Sequence, residues 1–328
     1  IRLRTRAQYR RASRWVLRNQ DRLSADRMAQ SLRGNDARDF WVEAKKMKSG
    51  GHSMPSVVDG VEGVEEICSL FKEKYEDLYN SVSFNDIEMN EFLNVVSTKV
   101  NTVCEFGSCE NHHVMNVDDV KCAVRKLKAG KSDANVNLCS DNFSCACNDL
   151  FVHLSLLLNM FYFRFSAPAE MLTSILVPIP KNRKKALSNS GNFRSIAISS
   201  IVGKILDHIV LKNHSSVLQT SDLQFGFKSE HSTTQCSFIL REVVEYYAYR
   251  RTPVFVTLLD ATRAFDRVHY VKLFKLLMRR GMCPSLIKLL IMMYIGQSLA
   301  VRWSNAVSSS FNCTNGIKQG GVLSPVLF

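Results

Sequence analysis

Pro253-Val254-Phe255-Val256-Thr257-Leu258-Leu259-Asp260-Ala261-Thr262-Arg263-Ala264-Phe265-Asp266 is the stretch on which the reading of this chain turns. Residues 253–259 are apolar almost without alternation, which predicts a strand covered on both faces. Asp260 ends that strand. A charge placed there is costly unless something offsets it. A divalent cation is the natural partner, because hard cations take carboxylate oxygens. An aromatic, Phe265, and a second acid, Asp266, follow at fixed spacing. Asp266 reads as a polar contact opening the next helix, less as a metal ligand.

Working outward, three further blocks carry the same kind of punctuation. Val177-Pro178-Ile179-Pro180-Lys181 precedes Asn192-Phe193-Arg194-Ser195-Ile196-Ala197-Ile198-Ser199 across the basic loop Lys181–Lys185. Gln224-Phe225-Gly226-Phe227 is followed by Ser232-Thr233-Thr234. Gly316-Ile317-Lys318-Gln319-Gly320-Gly321-Val322-Leu323-Ser324-Pro325 is a loop whose missing side chains allow close backbone approach, ahead of a cap-plus-proline helix start.

These four blocks, in this order and at this spacing, resemble the reverse transcriptases of LINE-type (non-LTR) retrotransposons, over roughly Asp36 to the last residue. The resemblance implies an α+β fold: the fingers and a truncated palm of a right-hand polymerase, an antiparallel sheet backed by helices, after a basic helical N-terminal extension. It divides the chain into a connector (1–48), a helical extension of the polymerase (49–165), fingers (166–252) and palm (253–328). It implies an RNA-directed DNA polymerase that adds deoxynucleotides to a primer by two-metal phosphoryl transfer. Asp260 is then the catalytic metal ligand, for Mg²⁺ with Mn²⁺ able to stand in. Lys181 and Arg194 contact the incoming triphosphate, Arg being suited to forked contacts with phosphate oxygens. Phe265 clashes with a ribose 2′-hydroxyl, and Gln319 and Gly320 meet the nucleotide. Gly316 approaches the nucleic acid. The implied partners are an RNA template, a DNA primer or target and deoxynucleoside triphosphates, and the implied compartment is the nucleus. For each residue a plainer role competes: a strand-end turn for Asp260, a core aromatic for Phe265, a solvated loop charge for Lys181, a hairpin loop for Gly316–Gly321.

Departures matter too. Ala134, Val136 and Asn137 stand where the family keeps Gly and Asp-Gly, and Gly321 replaces Ser or Asp. The family's aromatic-x-Asp-Asp hairpin is not reached before Phe328, so the chain alone is not expected to polymerise. A decayed, non-catalytic RNA-binding copy and an intron maturase-type polymerase stay open as alternatives.

Net charge is +13 over 328 residues, and +9 of it lies in residues 1–48, which hold 11 Arg and 3 Lys against 5 acids. A basic arm bearing Arg4, Arg6, Arg10, Arg11 and Arg14 suits a polyanion such as RNA, with salt-dependent binding. A solvated charged helix explains the same charge. Ten cysteines without a CxxC pair or a secretory leader suggest reduced intracellular thiols. Cys104, Cys109, His112 and His113 are too loosely spaced for a convincing zinc site. Asp118-Asp119 sits at a predicted helix start, where acids favour the dipole. Ala129-Gly130-Lys131-Ser132 fails as a phosphate loop because Arg125 stands where glycine is required. The apolar runs Phe151–Phe165 and Leu286–Ile295 are core helices, too short to span a bilayer.

Overall fold

A computed structural model describes residues 2–34, 39–41, 44, 54–104, 114–134, 138–228 and 230–328, with the side chains of 2–5 left undescribed. It divides into two compact units, residues 1–55 and 56–328.

The first unit holds α1 (Arg2–Arg18) and α2 (Gln20–Arg33), as the proline-free, Arg- and Ala-rich sequence predicts. Most of their described side chains are exposed, Trp15 among them.

The second unit opens with the hairpin β1 (Val57–Val58) and β2 (Val61–Glu62). Asp59 and Gly60, at φ 51 and 80, make the left-handed two-residue turn that an Asp-Gly pair favours. Helices α3 (Val64–Tyr79), α4 (Asp86–Lys99), α5 (Val117–Arg125), α6 (Ser140–Ser144), α7 (Asn148–Arg164) and α8 (Ala169–Leu172) follow. In α5 the Asn116 side chain accepts from the Asp119 N–H at 2.8 Å while Asp119 accepts from the Asn116 N–H at 3.2 Å. This capping box accounts for the second of the tandem acids, Asp119. Next come β3 (Thr173–Pro180), β4 (Phe193–Ile198), α9 (Ile201–Asn213) and α10 (Thr233–Tyr249). The chain then gives α11 (Tyr270–Arg279), α12 (Pro284–Ile295), β5 (Ser298–Trp303), β6 (Ala306–Val307), β7 (Phe311–Asn312) and α13 (Ser324–Leu327).

The sheet order is β4-β3-β5-β6, with β7 also on β5. β3 runs antiparallel to β4 but parallel to β5, Ile175 facing Ala300. The wholly antiparallel sheet expected from the sequence is therefore corrected to a mixed one. The helical run between β4 and β5 is long enough to bring β5 back alongside β3 in the parallel sense. One face of the sheet packs on α3, where Phe71 stacks on Trp303 at 5.0 Å and meets Phe193 edge-on at 5.2 Å. The larger core joins α4, α5, α7, α9, α11 and α12 around Leu158, Ile205, Phe274 and Ile287. No helix among the described residues is long and apolar enough to cross a membrane.

One expectation fails outright. Residues 253–259 form no strand, and Phe255, Leu258 and Leu259 are 92%, 85% and 94% exposed. Helix α10, just before them, buries no residue. A strand covered on both faces needs hydrogen-bonding neighbours and two packing layers. The described residues supply neither to 253–259, and an apolar run says nothing about which neighbour is present.

Candidate nucleotide-facing site

Three stretches far apart in sequence are tied together by backbone hydrogen bonds. Ala197 N, in β4, donates to Gln319 O at 2.8 Å. Ile317 N donates to Phe265 O at 2.8 Å, and Gly316 N to Val268 O at 2.9 Å. The glycine loop thus lies between the end of β4 and the short turn of 3-10 helix Phe265–Arg267. Gly316 has φ 86, and a Cβ there would stand 2.7 Å from Asp266 O and 2.9 Å from Tyr79 Cδ1. Only glycine fits, which explains the first glycine of the block. Gly320, at φ 99, is exposed beside Ala197 O and Ile196.

Asp266 is the buried carboxylate of this junction, 4% exposed. Gln319 Nε2 lies 2.9 Å from both its oxygens, and Asn315 Nδ2 donates to its backbone carbonyl at 2.6 Å. Burial raises its pKa above the ordinary Asp value, against hydrogen bonds from Gln319 and the Tyr79 hydroxyl and the charges of Arg263 and Lys181. The sequence reading of Asp266 as a polar contact holds, but its partner is the glycine loop.

Behind the same loop, Asp207 of α9 lines a small cavity of about 50 Å³ with Gln297, Lys318, Gly321 and Ser324. Burial pushes its carboxyl up to about 6, opposed by Lys318 and by the N–H groups of Val322 and Leu323 at the start of α13. Burial also lowers the Lys318 ammonium.

Lys181 is exposed at the end of β3, its Nζ donating to Gly191 O at 2.9 Å. It lines an open pocket of about 560 Å³ with Asn182, Lys185, Asn189 and Asn192. The β1–β2 turn and α3 brace this loop, since Asp59 Oδ1 accepts from Ser190 N at 3.0 Å and Lys74 Nζ, on α3, donates to Ser190 Oγ at 2.7 Å. Burial lowers the Lys74 pKa; the nearby charges of Lys181 and Arg263 add to that, against Asp59. Arg194 pairs across the ladder with Ile179 and is exposed, not enclosed by its apolar neighbours.

Asp260 is solvent-facing, and Arg263 after it takes a left-handed φ of 54. Phe265 is half-buried, stacked on Phe328. Lys74, Tyr79, Arg263, Asn315 and Asp207 were not singled out from the sequence. Only the positions of Arg263 and Asn315 within or beside the quoted blocks could have flagged them. Arg6, Arg10, Arg11 and Arg14 lie exposed on α1. The Arg4 side chain is outside the described residues, as are Val136, Asn137, Cys109, His112 and His113. Cys104 meets Cys283 instead, sulfur to sulfur at 3.6 Å.

A family model described as reverse transcriptase (RNA-dependent DNA polymerase) matches residues 179–328. Residues 179–328 thus resemble a reverse transcriptase domain. The resemblance to the enzymes of non-LTR elements also holds among curated proteins. The chain is 26% identical over 202 residues to a probable RNA-directed DNA polymerase from transposon X-element of Drosophila melanogaster, covering 58% of this chain and 21% of that protein. It is 26% identical over 227 residues to the RNA-directed DNA polymerase from mobile element jockey of Drosophila funebris, covering 65% and 24%. It is 26% identical over 151 residues to the retrovirus-related Pol polyprotein from type-1 retrotransposable element R2 of Popillia japonica, covering 46% and 21%. The aligned part of the chain spans about a quarter or less of the length of these relatives.

The family depends on divalent metal, and the donor set can be tested for one. Among the described residues, no three His, Cys, Asp or Glu side chains gather as a metal site. Asp260 stands in solvent, and Asp266 is taken up by Gln319 and Tyr79. The carboxylates in hand do not fit a complete two-metal centre, so no reaction step through a metal is drawn from them.

Proposed function

We propose that this chain contributes the fingers and part of the palm to an RNA-directed DNA polymerase of a non-LTR element. The observation that carries the reading is the meeting of β4, the Phe265 turn and the Gly316–Gly321 loop through three backbone hydrogen bonds. A base pair read by shape needs backbone, not long side chains, on one side, and the exposed Gly320 supplies it. Lys181 and Arg194, on the two strands of one hairpin, would carry the triphosphate, helped by Lys74 and Arg263. Phe265 would select the deoxyribose, and Gln319 and Gly320 would face the nucleotide. Gly316 would bring its backbone toward the nucleic acid. Asp260 would give one ligand to Mg²⁺, or to Mn²⁺ in its place. Arg4, Arg6, Arg10, Arg11 and Arg14 would hold the RNA template, with a DNA primer or target as second partner and the nucleus as the place of action. The division at 48, 165 and 252 belongs to this proposal.

The test is a chimera joining this chain to the downstream segment of the jockey relative, assayed for primer extension on RNA. Magnesium-dependent addition of deoxynucleotides is expected. Retained RNA binding with no product would favour the decayed remnant, a reading that the exposed segment 253–260 also suits.

A further inference from the structure

Gln319 has been read so far as a residue that faces the nucleotide. Its amide is already engaged on the other side. Nε2 is 2.9 Å from Oδ1 and 2.9 Å from Oδ2 of Asp266. A carboxylate accepts and does not donate, so the pairing has one polarity: the Gln319 nitrogen must turn inward. The amide carbonyl, Oε1, is then the group left to meet a donor outside. An unpaired glutamine on a loop would offer either end.

The carboxylate that sets this polarity is itself held from several sides. Tyr79, 2% exposed, places its hydroxyl within hydrogen-bonding reach of both Asp266 and Ser195 Oγ, the latter at 3.5 Å. Tyr75, one turn earlier on α3 and also 2% exposed, has a buried hydroxyl without a partner among the described residues, and it feels the charge of Asp266. Arg263 and Lys181 supply positive charge to the same carboxylate. The Asp266 backbone carbonyl takes the Asn315 amide at 2.6 Å and fills the space a Gly316 side chain would need. One residue therefore grips the glycine loop at three points: Asn315, Gly316 and Gln319.

We propose that Asp266 is the positioning residue of the glycine loop, fixing the Gln319 amide so that it presents an acceptor to the bound nucleoside triphosphate. This rests on the reading of Gly316–Gly321 as the nucleotide-facing loop. Asp266 touches no substrate in this account and acts only through Gln319 and the loop backbone.

The test uses the 328-residue chain and compares wild type, Asp266→Asn, Gln319→Glu and the double variant by amide hydrogen exchange, each with and without deoxyadenosine triphosphate and Mg²⁺. Gln319→Glu sets two carboxylates face to face, so exchange of residues 316–321 should rise about tenfold or more. The double variant reverses the polarity, the amide now at position 266 donating to the carboxylate now at position 319. It should bring exchange back to within about threefold of wild type. Asp266→Asn lets the Gln319 amide adopt either orientation, so triphosphate-dependent protection of the loop should weaken about fivefold while the helices α11 and α12 are unmoved. Unchanged exchange in Gln319→Glu, or a double variant no better protected than that single one, would overturn the proposal. Absence of any triphosphate effect in wild type would instead strike the polymerase reading, and the ligand-free comparison would still decide the role of Asp266.

Discussion

The ring of Phe265 lies against that of Phe328, centroids 4.9 Å apart and planes inclined by 24°, while Phe227 meets it edge-on at 6.0 Å. The candidate sugar-selecting aromatic is thus also a packing residue. Phe265→Ala should lower stability by about 1–3 kcal/mol, less than a fully buried phenylalanine would. Combined with Phe328→Ala, the loss should fall short of additive by about 0.5–1.5 kcal/mol, the worth of an aromatic pair. Urea unfolding of the four proteins measures both. Strict additivity would deny the stack.

Gly316 and Gly130 offer a controlled comparison. Both have positive φ, 86 and 66, but a Cβ at Gly130 meets open space, whereas at Gly316 it meets Asp266 and Tyr79. Gly130→Ala should cost about 1 kcal/mol for its backbone alone. Gly316→Ala should cost clearly more, about 3 kcal/mol, because the contact must also be relieved. Equal shifts in thermal midpoint would mean that the loop does not pack against the Phe265 turn.

Asp207 makes stability depend on pH in a stated direction. Its folded pKa, about 6, lies above the ordinary 3.8, so the native state binds more protons than the unfolded state between these values. Its contribution is fully present below the lower value and is lost as pH rises through about 6, amounting to about 2–3 kcal/mol. Asp207→Asn should remove that fall. A variant whose stability declines from pH 4 to 7 as steeply as wild type would place the effect elsewhere.

Much of the framework was legible in the sequence because local patterns set it. Strands β3 and β4 follow from two apolar runs around a basic loop, α12 from Pro284 at its start and Gly296 after it, and α5 from its acidic start. The glycine loop was legible as a loop of close backbone approach because its side chains are missing; that it meets a nucleotide is only what the resemblance implies. What was not legible depends on partners remote in sequence. The apolar run 253–259 carries the composition of a buried strand, yet burial is decided by neighbours that the run does not name. The grip of Asp266 on Gln319 spans 53 residues, and no spacing rule connects an acid after one aromatic with a glutamine in a later loop. Lys74 was hidden for a similar reason: on an amphipathic helix it reads as solvated, and only the docking of the β1–β2 turn brings it to the basic loop.

Asp260 gives the most direct test of the central claim, that the convergence of these blocks serves polymerisation. Because its side chain faces solvent, Asp260→Asn should leave the stability of the chain unchanged to within about 0.5 kcal/mol, read by urea unfolding. In the chimera completed with the jockey segment, the same change should abolish magnesium-dependent primer extension on RNA while template binding persists. Extension by the Asp260→Asn chimera at the rate of its unsubstituted parent would contradict the account.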